Sequence, residues 1–208
     1  MTTLSEREWV RRSLALAGRE ARGQPVEQVL SMIREVDGDE DRLDAPGVDA
    51  SIEAHRSAYM GVFADAGIDD DLAAALYAVE SDYRHNIFAV DATIALSSLH
   101  QHGMRLAVLS DIHFDLRPAF DAAGLGGLVD VFTLSYEHGH QKPHPDLFAS
   151  TLTNLGVPAE GTLMVGDRSG PDGPAVEQGI TTLLLPPLKT PQDRRLHLIT
   201  ALCGIPAS

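Results

Sequence analysis

Hydrophobic positions in the first part of the chain recur at helical spacing. Ser5, with Glu8 three residues later, is typical of a helix N-terminal capping box, and apolar positions follow with a helical period. A second helix is predicted to open at Pro25, and two more are predicted at about 48–66 and 69–84. No convincing strand pattern is found before about residue 86, so this segment is predicted to be helical throughout.

After this segment, short apolar runs alternate with helical patterns. Runs of this length are typical of strands buried in a parallel sheet, and their alternation with helices predicts an α/β fold with a Rossmann-like core. We therefore predict a helical cap over 1–86 and an α/β core over 87–208. The predicted core strands are 104–110, 130–135, 161–166 and 180–186, and the predicted helices are 91–102, 116–123, 145–155, 172–178 and the tail after Pro191.

Composition excludes several classes of protein. The chain has 208 residues and a net charge of −14, so it lacks the basic surface that binds nucleic acid. No apolar run approaches the ~18 residues that a membrane span needs, and the N-terminus does not resemble a signal peptide. Cys203 is the one cysteine, which excludes an internal disulfide and favours a reducing cytoplasm.

Polar residues follow three of the predicted strands. Ser110 ends the first strand, Lys142 lies in the loop after the second, and Asp167 and Asp172 follow the third. In open α/β sheets, ligands bind at the carboxyl ends of the strands, so these side chains are expected to converge. A hydroxyl and an ammonium group suit phosphate oxygens, and two carboxylates suit Mg²⁺. The sequence thus predicts a small phosphorylated ligand.

The choice of lysine at position 142 is informative in this chain, which contains fourteen arginines and only two lysines. An unspecific basic position would more often be arginine here. A lysine in this loop therefore indicates that a compact point charge is needed.

Three segments resemble motifs of the haloacid dehalogenase-like hydrolase superfamily, over roughly residues 86–186. LAVLSDIHFDLRPAF is similar to its second motif, EHGHQKPHPDLF to its third and MVGDRSGPD to its fourth. The resemblance implies that Ser110 binds the transferred phosphoryl group and that Lys142 steadies the phosphate and the nucleophile. It also implies that Asp167 and Asp172 serve a Mg²⁺ site.

The family's first motif is not found. It should be an apolar strand before the cap that ends Asp-x-Asp-Gly-Thr and supplies a nucleophilic aspartate and a general acid. The helix start at Ser5 falls about where the family's cap begins. Asp37 and Asp39 have the spacing of the pair but follow a partly charged helical run, and Asp111 is supported only by its position beside Ser110.

The first strand of the family lies between the strands predicted here at 104–110 and 161–166. Without it, unpaired backbone groups would each cost about 1–3 kcal/mol. We therefore expect these two strands to pair directly, or a segment of another chain to fill the gap. The second outcome would favour a partner, including a second copy of this chain.

Two functions follow from these observations. The first is Mg²⁺-dependent hydrolysis of a phosphomonoester by a complete form of the protein, of which this chain would be a truncated or inactive version. The alternative is a non-catalytic relative that binds a phosphorylated ligand or a protein partner. A third hypothesis, dehalogenation at a carbon–halogen bond, is weaker. It needs the same absent nucleophile, and the GDRSGPD string resembles the phosphatase branch of the family.

Other candidate residues carry less weight. His138, His140 and His144 crowd one loop and have side chains that can bind zinc, but we favour a role as loop or rim residues. Trp9 and Tyr59 are expected to be buried in the helical bundle rather than to line a pocket.

Overall fold

A computed structural model of the chain describes residues 2–38 and 41–205. Its first part contains four helices, α1 (Glu6–Leu16), α2 (Gln24–Asp37), α3 (Ile52–Asp65) and α4 (Asp70–Glu80). Ser5 caps α1 as predicted, because its hydroxyl accepts a hydrogen bond from the backbone N–H of Glu8. The apolar faces of the helices form one cluster around Phe63 and Leu76, both fully buried.

The sequence patterns missed two details of this part. The helix predicted at 48–66 begins later, since a 3₁₀ turn at Val48–Ala50 precedes α3. Two short strands, β1 (Thr2–Thr3) and β2 (Ile87–Phe88), pair in antiparallel register. The two ends of the helical segment therefore lie next to each other. Two-residue strands leave no period in a sequence, which explains why the pattern did not reveal them.

The remaining residues form two parallel strand pairs with helices packed around them. Strand β3 (Ala107–Ser110) pairs with β4 (Val131–Leu134), and β5 (Leu163–Gly166) pairs with β6 (Thr181–Leu184). The predicted Rossmann-like α/β fold class is confirmed. The helices are α5 (Ala92–Gln101), α6 (Arg117–Ala122), α7 (Ser135–His138), α8 (Pro145–Leu155), α9 (Ser169–Asp172) and α10 (His197–Leu202).

The helix predicted at 172–178 also differs from the structure. Helix α9 ends at Asp172, and a 3₁₀ segment at Gly173–Gln178 follows it. Pro174 lies at the start of this segment, and it lacks the backbone N–H that would continue the α-helical bonding.

Of the two outcomes expected for strands 104–110 and 161–166, direct pairing is wrong, whereas a strand from another chain between them stays a prediction. In the described part of the chain, β3 and β5 belong to separate pairs, and no strand lies between them. Each pair is held in place by packing: Val108 of β3 packs with Phe120 and Leu134, whereas Val165 of β5 packs against Leu185 and Leu196. Direct pairing would have to disrupt both clusters, and the two strands instead flank a cavity of about 890 Å³.

None of the helices in residues 2–38 and 41–205 combines the length and apolarity required to cross a bilayer.

Candidate active site

The carboxyl ends of β3 and β5 and the loop after α7 meet at one end of the cavity. Ser110, Lys142, Asp167 and Asp172, the four residues singled out in the sequence, all line it. Asp111, next to Ser110, lines it as well. The topology brings these residues together because parallel strands end at the same edge of their sheets.

Lys142 is the central cation of this group. Its Nζ lies 2.5 Å from Oδ1 of Asp172 and 3.9 Å from Oδ2 of Asp111. The backbone N–H of Lys142 also donates to Oδ1 of Asp111 at 2.7 Å. The lysine side chain is only 10% exposed, and both carboxylates are more buried still. This burial makes the pairing tight, because water does not screen it.

Asp172 also orders the loop that follows β5. Its Oδ2 accepts hydrogen bonds from the backbone N–H groups of Asp167 and Arg168, both at 3.0 Å. Burial alone would raise the pKa of Asp172, but Lys142 and these two donors hold that pKa below its ordinary value. For Asp111 the balance is reversed, and burial raises the pKa of its carboxyl despite Lys142.

Asp167 is paired with a residue that the sequence did not single out. Its Oδ2 accepts a hydrogen bond from Nη1 of Arg195 at 2.8 Å. Arg195 is buried, and its Nε has no hydrogen-bond partner within the described residues. The other oxygen of Asp167 is likewise unpartnered among those residues. Oxygen donors suit Mg²⁺, so Oδ1 of Asp167 fits such an ion, whereas both oxygens of Asp172 are already engaged.

The Ser110 hydroxyl is weakly bound within the protein. Among the described residues, its one hydrogen bond is to the backbone carbonyl of Asp111 at 3.5 Å, which is long for an O–H···O bond. The hydroxyl is therefore available to a ligand in the cavity.

The cap loop that precedes α3 rests directly on this site. The N–H groups of Gly47 and Asp49 donate to Oε1 of Gln141 at 2.8 and 3.0 Å. The Ser135 hydroxyl donates to the carbonyl of Asp49 at 2.6 Å, and Arg168 pairs with Asp44. Gln141 is adjacent to Lys142, so the loop is fixed to the same segment that carries the central cation.

We expect Gln141→Ala to loosen this loop and to lower the free energy of unfolding by about 1–2 kcal/mol, because two backbone donors lose their acceptor. Amide hydrogen exchange at Gly47 and Asp49 should accelerate. The control is Gln101→Ala, at an exposed helix end, which should leave both rates unchanged. Equal rates of amide hydrogen exchange at Gly47 and Asp49 in the two variants would show that Gln141 does not hold the loop.

A second polar cluster lies where the cap meets the core. It contains Asp49, His55, Glu80 and His113, with the two imidazole rings stacked at 3.4 Å. Burial lowers the pKa of His55 to about 3 and that of His113 to about 4, so both rings are neutral at pH 7. Burial raises the pKa of Glu80 to about 8 and that of Asp49 to about 6, with the neighbouring carboxylates adding to the rise.

Neither this cluster nor Arg195 was identified from the sequence. The four residues of the cluster are separated by up to 64 positions, and no motif marks them. Of the residues considered as substitutes for the first motif, Asp37 accepts a hydrogen bond from the N–H of Leu43 in its own loop, and Asp39 lies outside the described residues. His140 and His144 are stacked on the surface near Asp146.

Fold and site geometry define an α/β protein with a helical cap, whose polar residues gather at the carboxyl ends of parallel strands. A family model described as haloacid dehalogenase-like hydrolase matches residues 4–179. The chain therefore belongs to the haloacid dehalogenase-like hydrolases.

Similar proteins include a glyceraldehyde 3-phosphate phosphatase of Methanocaldococcus jannaschii. It is 35% identical over 99 residues, which cover 42% of this chain and only 40% of that relative. A phosphatase structure from Thermococcus onnurineus superposes with a TM-score of 0.60 at 20% identity, over 96% of this chain and 88% of the other. The L-2-haloacid dehalogenase of Xanthobacter autotrophicus gives 0.64 at 20% identity, over 98% and 79%. At these identities the two structures support the fold alone.

Proposed function

We propose that this chain forms most of a Mg²⁺-dependent phosphomonoester hydrolase and that a further β-strand between β3 and β5 completes its site. The observation that carries the proposal is the position of Lys142, which is held by Asp111 and Asp172 and lines the same cavity as Ser110. The resemblance of part of the chain to a phosphatase supports the same reaction class. A small phosphorylated molecule is the substrate expected for such a site.

Each residue has a distinct task in this proposal. Ser110 donates its hydroxyl hydrogen to a phosphoryl oxygen, and Lys142 places a positive charge beside it. Asp172 positions Lys142 and orders the loop after β5 through its two backbone hydrogen bonds. Oδ1 of Asp167 would hold Mg²⁺, which supplies charge neutralisation of the phosphoryl group when bound.

In this proposal the nucleophile comes from the added strand. Phosphoryl transfer to an enzyme carboxylate cannot begin without one. The cavity between β3 and β5 has the position and the largely apolar walls for an extended strand that ends at the site. A strand there would also pair with backbone groups along both facing edges. We propose that this strand ends in the Asp-x-Asp pair of the family.

The test is to fuse an apolar strand ending Asp-x-Asp-Gly-Thr to the N-terminus and to assay p-nitrophenyl phosphate with and without Mg²⁺. The matched control fusion ends Asn-x-Asn-Gly-Thr. We expect Mg²⁺-dependent hydrolysis from the first fusion only, and its loss on Asp167→Asn. Hydrolysis by the 208-residue chain itself, also abolished by Asp167→Asn, would show that the nucleophile is already present and would refute the proposed strand.

A second candidate function is binding without catalysis, to a phosphorylated ligand or a protein partner. The observation that favours it is the internal pairing of the site, where Lys142 binds Asp172 and Arg195 binds Asp167. Thermal stabilisation by phosphate, with both fusions inactive though folded, would support this function.

A further inference from the structure

We propose that Asp49, His55 and His113 form a second metal site, specific for a divalent transition metal such as Zn²⁺, at the junction between cap and core. None of these three residues lines the cavity that Ser110 and Lys142 line. Asp49 and His55 come from the cap segment, and His113 comes from the loop after β3. Each offers one donor atom, and the three donor atoms lie within 4.8 Å of one another.

The distances are close to those that a bound ion needs. Oδ1 of Asp49 lies 3.9 Å from Nε2 of His55 and 4.0 Å from Nδ1 of His113. Donors around tetrahedral Zn²⁺ are about 3.3 Å apart, given metal–ligand distances near 2.0–2.1 Å. A contraction of roughly 0.6–0.7 Å along each of these two distances would bring Asp49 to ligand spacing, and the two histidine donors, which lie within 4.8 Å of each other, must also approach.

Two observations show that the cluster lacks partners that an ion would supply. His55 is 2% exposed, its Nδ1 has no hydrogen-bond partner, and its Nε2 is 3.6 Å or more from the nearest carboxylates. In addition, neither Asp49 nor Glu80 forms a salt bridge with a lysine or an arginine within residues 2–38 and 41–205. The Asp49 side chain is only 20% exposed, and carboxylates withdrawn from water are normally paired with cations or coordinate metals.

Glu80 and Ser81 contact the side of the His113 ring that faces away from Asp49. Nε2 of His113 lies 2.9 Å from the Ser81 hydroxyl and 3.2 Å from Oε2 of Glu80, so its other nitrogen, Nδ1, is left to face Asp49. The hydrogen bond to Ser81 holds the direction of the ring, as outer partners of histidine ligands commonly do. His113 is therefore oriented before any ion binds.

His55 is the ligand that must move. Its ring is stacked on His113 with an interplanar angle of 11°, and parallel rings do not direct their lone pairs at one point. The ring must turn about its χ2 bond. Among the described residues this breaks no hydrogen bond, because Nδ1 has no partner and Nε2 lies 3.6 Å or more from the carboxylates. Imidazole and carboxylate donors together favour Zn²⁺, Co²⁺ or Mn²⁺ over Mg²⁺, which prefers oxygen alone.

The test is a Co²⁺ titration of the chelator-treated 208-residue protein, with Mg²⁺ present in excess to occupy sites made of oxygen alone. We expect one equivalent to give the intense visible absorption of a four-coordinate ion, and Zn²⁺ to displace it. Zn²⁺ at about 100 times its Kd should also raise the Tm by about 5–10 °C.

Three variants distinguish this site from the alternatives. His55→Ala should abolish the absorption, and Asp49→Asn, which keeps the side-chain shape, should weaken binding even if the first variant folds poorly. Glu80→Gln should weaken it about tenfold, as expected for a group that only orients a ligand. The control is the double variant His140→Ala and His144→Ala, which removes the exposed histidine pair.

A signal that survives Asp49→Asn and disappears in the control variant would overturn the proposal in favour of the surface histidines. Absence of saturable Co²⁺ or Zn²⁺ binding by the folded protein would also overturn it. The readout involves no hydrolysis, so it is independent of the proposed phosphatase activity.

Discussion

Lys142→Met should lower the free energy of unfolding by about 3–5 kcal/mol, as is typical when one partner of a buried ion pair is removed. The lysine is 10% exposed and faces two carboxylates that are more buried than it is. Methionine keeps most of the side-chain volume but removes the charge, so Asp111 and Asp172 would remain close together without a cation. Chemical denaturation at pH 7 measures the loss.

The chain supplies its own control, because Lys189 is its other lysine and is exposed. Lys189→Met should change the free energy of unfolding by less than about 0.5 kcal/mol. Adding Asp172→Asn to Lys142→Met should recover part of the loss, since the variant then buries one charge fewer. Lower pH should have the same effect, because protonation removes the uncompensated carboxylate charges. Equal losses in the two lysine variants would contradict the role given to Lys142.

Gly166→Ala should lower the free energy of unfolding by about 3 kcal/mol and weaken phosphate binding. A Cβ at this position would lie 2.2 Å from Oδ2, 2.3 Å from Cγ and 2.4 Å from Cβ of Asp172. Asp172 cannot retreat freely, because Lys142 and the N–H groups of Asp167 and Arg168 hold both its oxygens. The added methyl group must therefore displace the loop that follows β5.

Gly170→Ala is the matched control four residues away. A Cβ there meets no heavy atom within 4 Å, and the residue lies within α9, where alanine is preferred to glycine. Denaturation curves and phosphate titrations of the two variants should differ clearly. If Gly166→Ala were as stable as Gly170→Ala, the close contact between Gly166 and Asp172 would not exist in solution.

The sequence was sufficient to bring Ser110, Lys142, Asp167 and Asp172 to one place. Each of them follows an apolar run, and a single topological rule then puts the ends of parallel strands at one edge. Arg195 could not be found in this way, because its pairing with Asp167 depends on how the segment after β6 folds back. The catalytic and metal-binding roles of the four residues remain predictions.

The error about the sheet has an instructive cause. Direct pairing of β3 and β5, or a segment of another chain between them, was expected because unpaired backbone groups are costly. That argument considered hydrogen bonds only. In the structure, β3 and β4 pack in a cluster around Phe120, whereas β5 and β6 pack in a cluster that includes Leu196. Such packing depends on residues distant in sequence, so local patterns do not reveal it.

The pairing of Thr2–Thr3 with Ile87–Phe88 has a consequence for the length of the helical segment. Antiparallel partners lie only about 5 Å apart, so the segment between them begins and ends at nearly the same point. The entropic cost of holding these ends together grows only slowly with the number of residues between them. We therefore expect insertions or deletions within this segment to leave the positions of β3 and β5 largely unchanged.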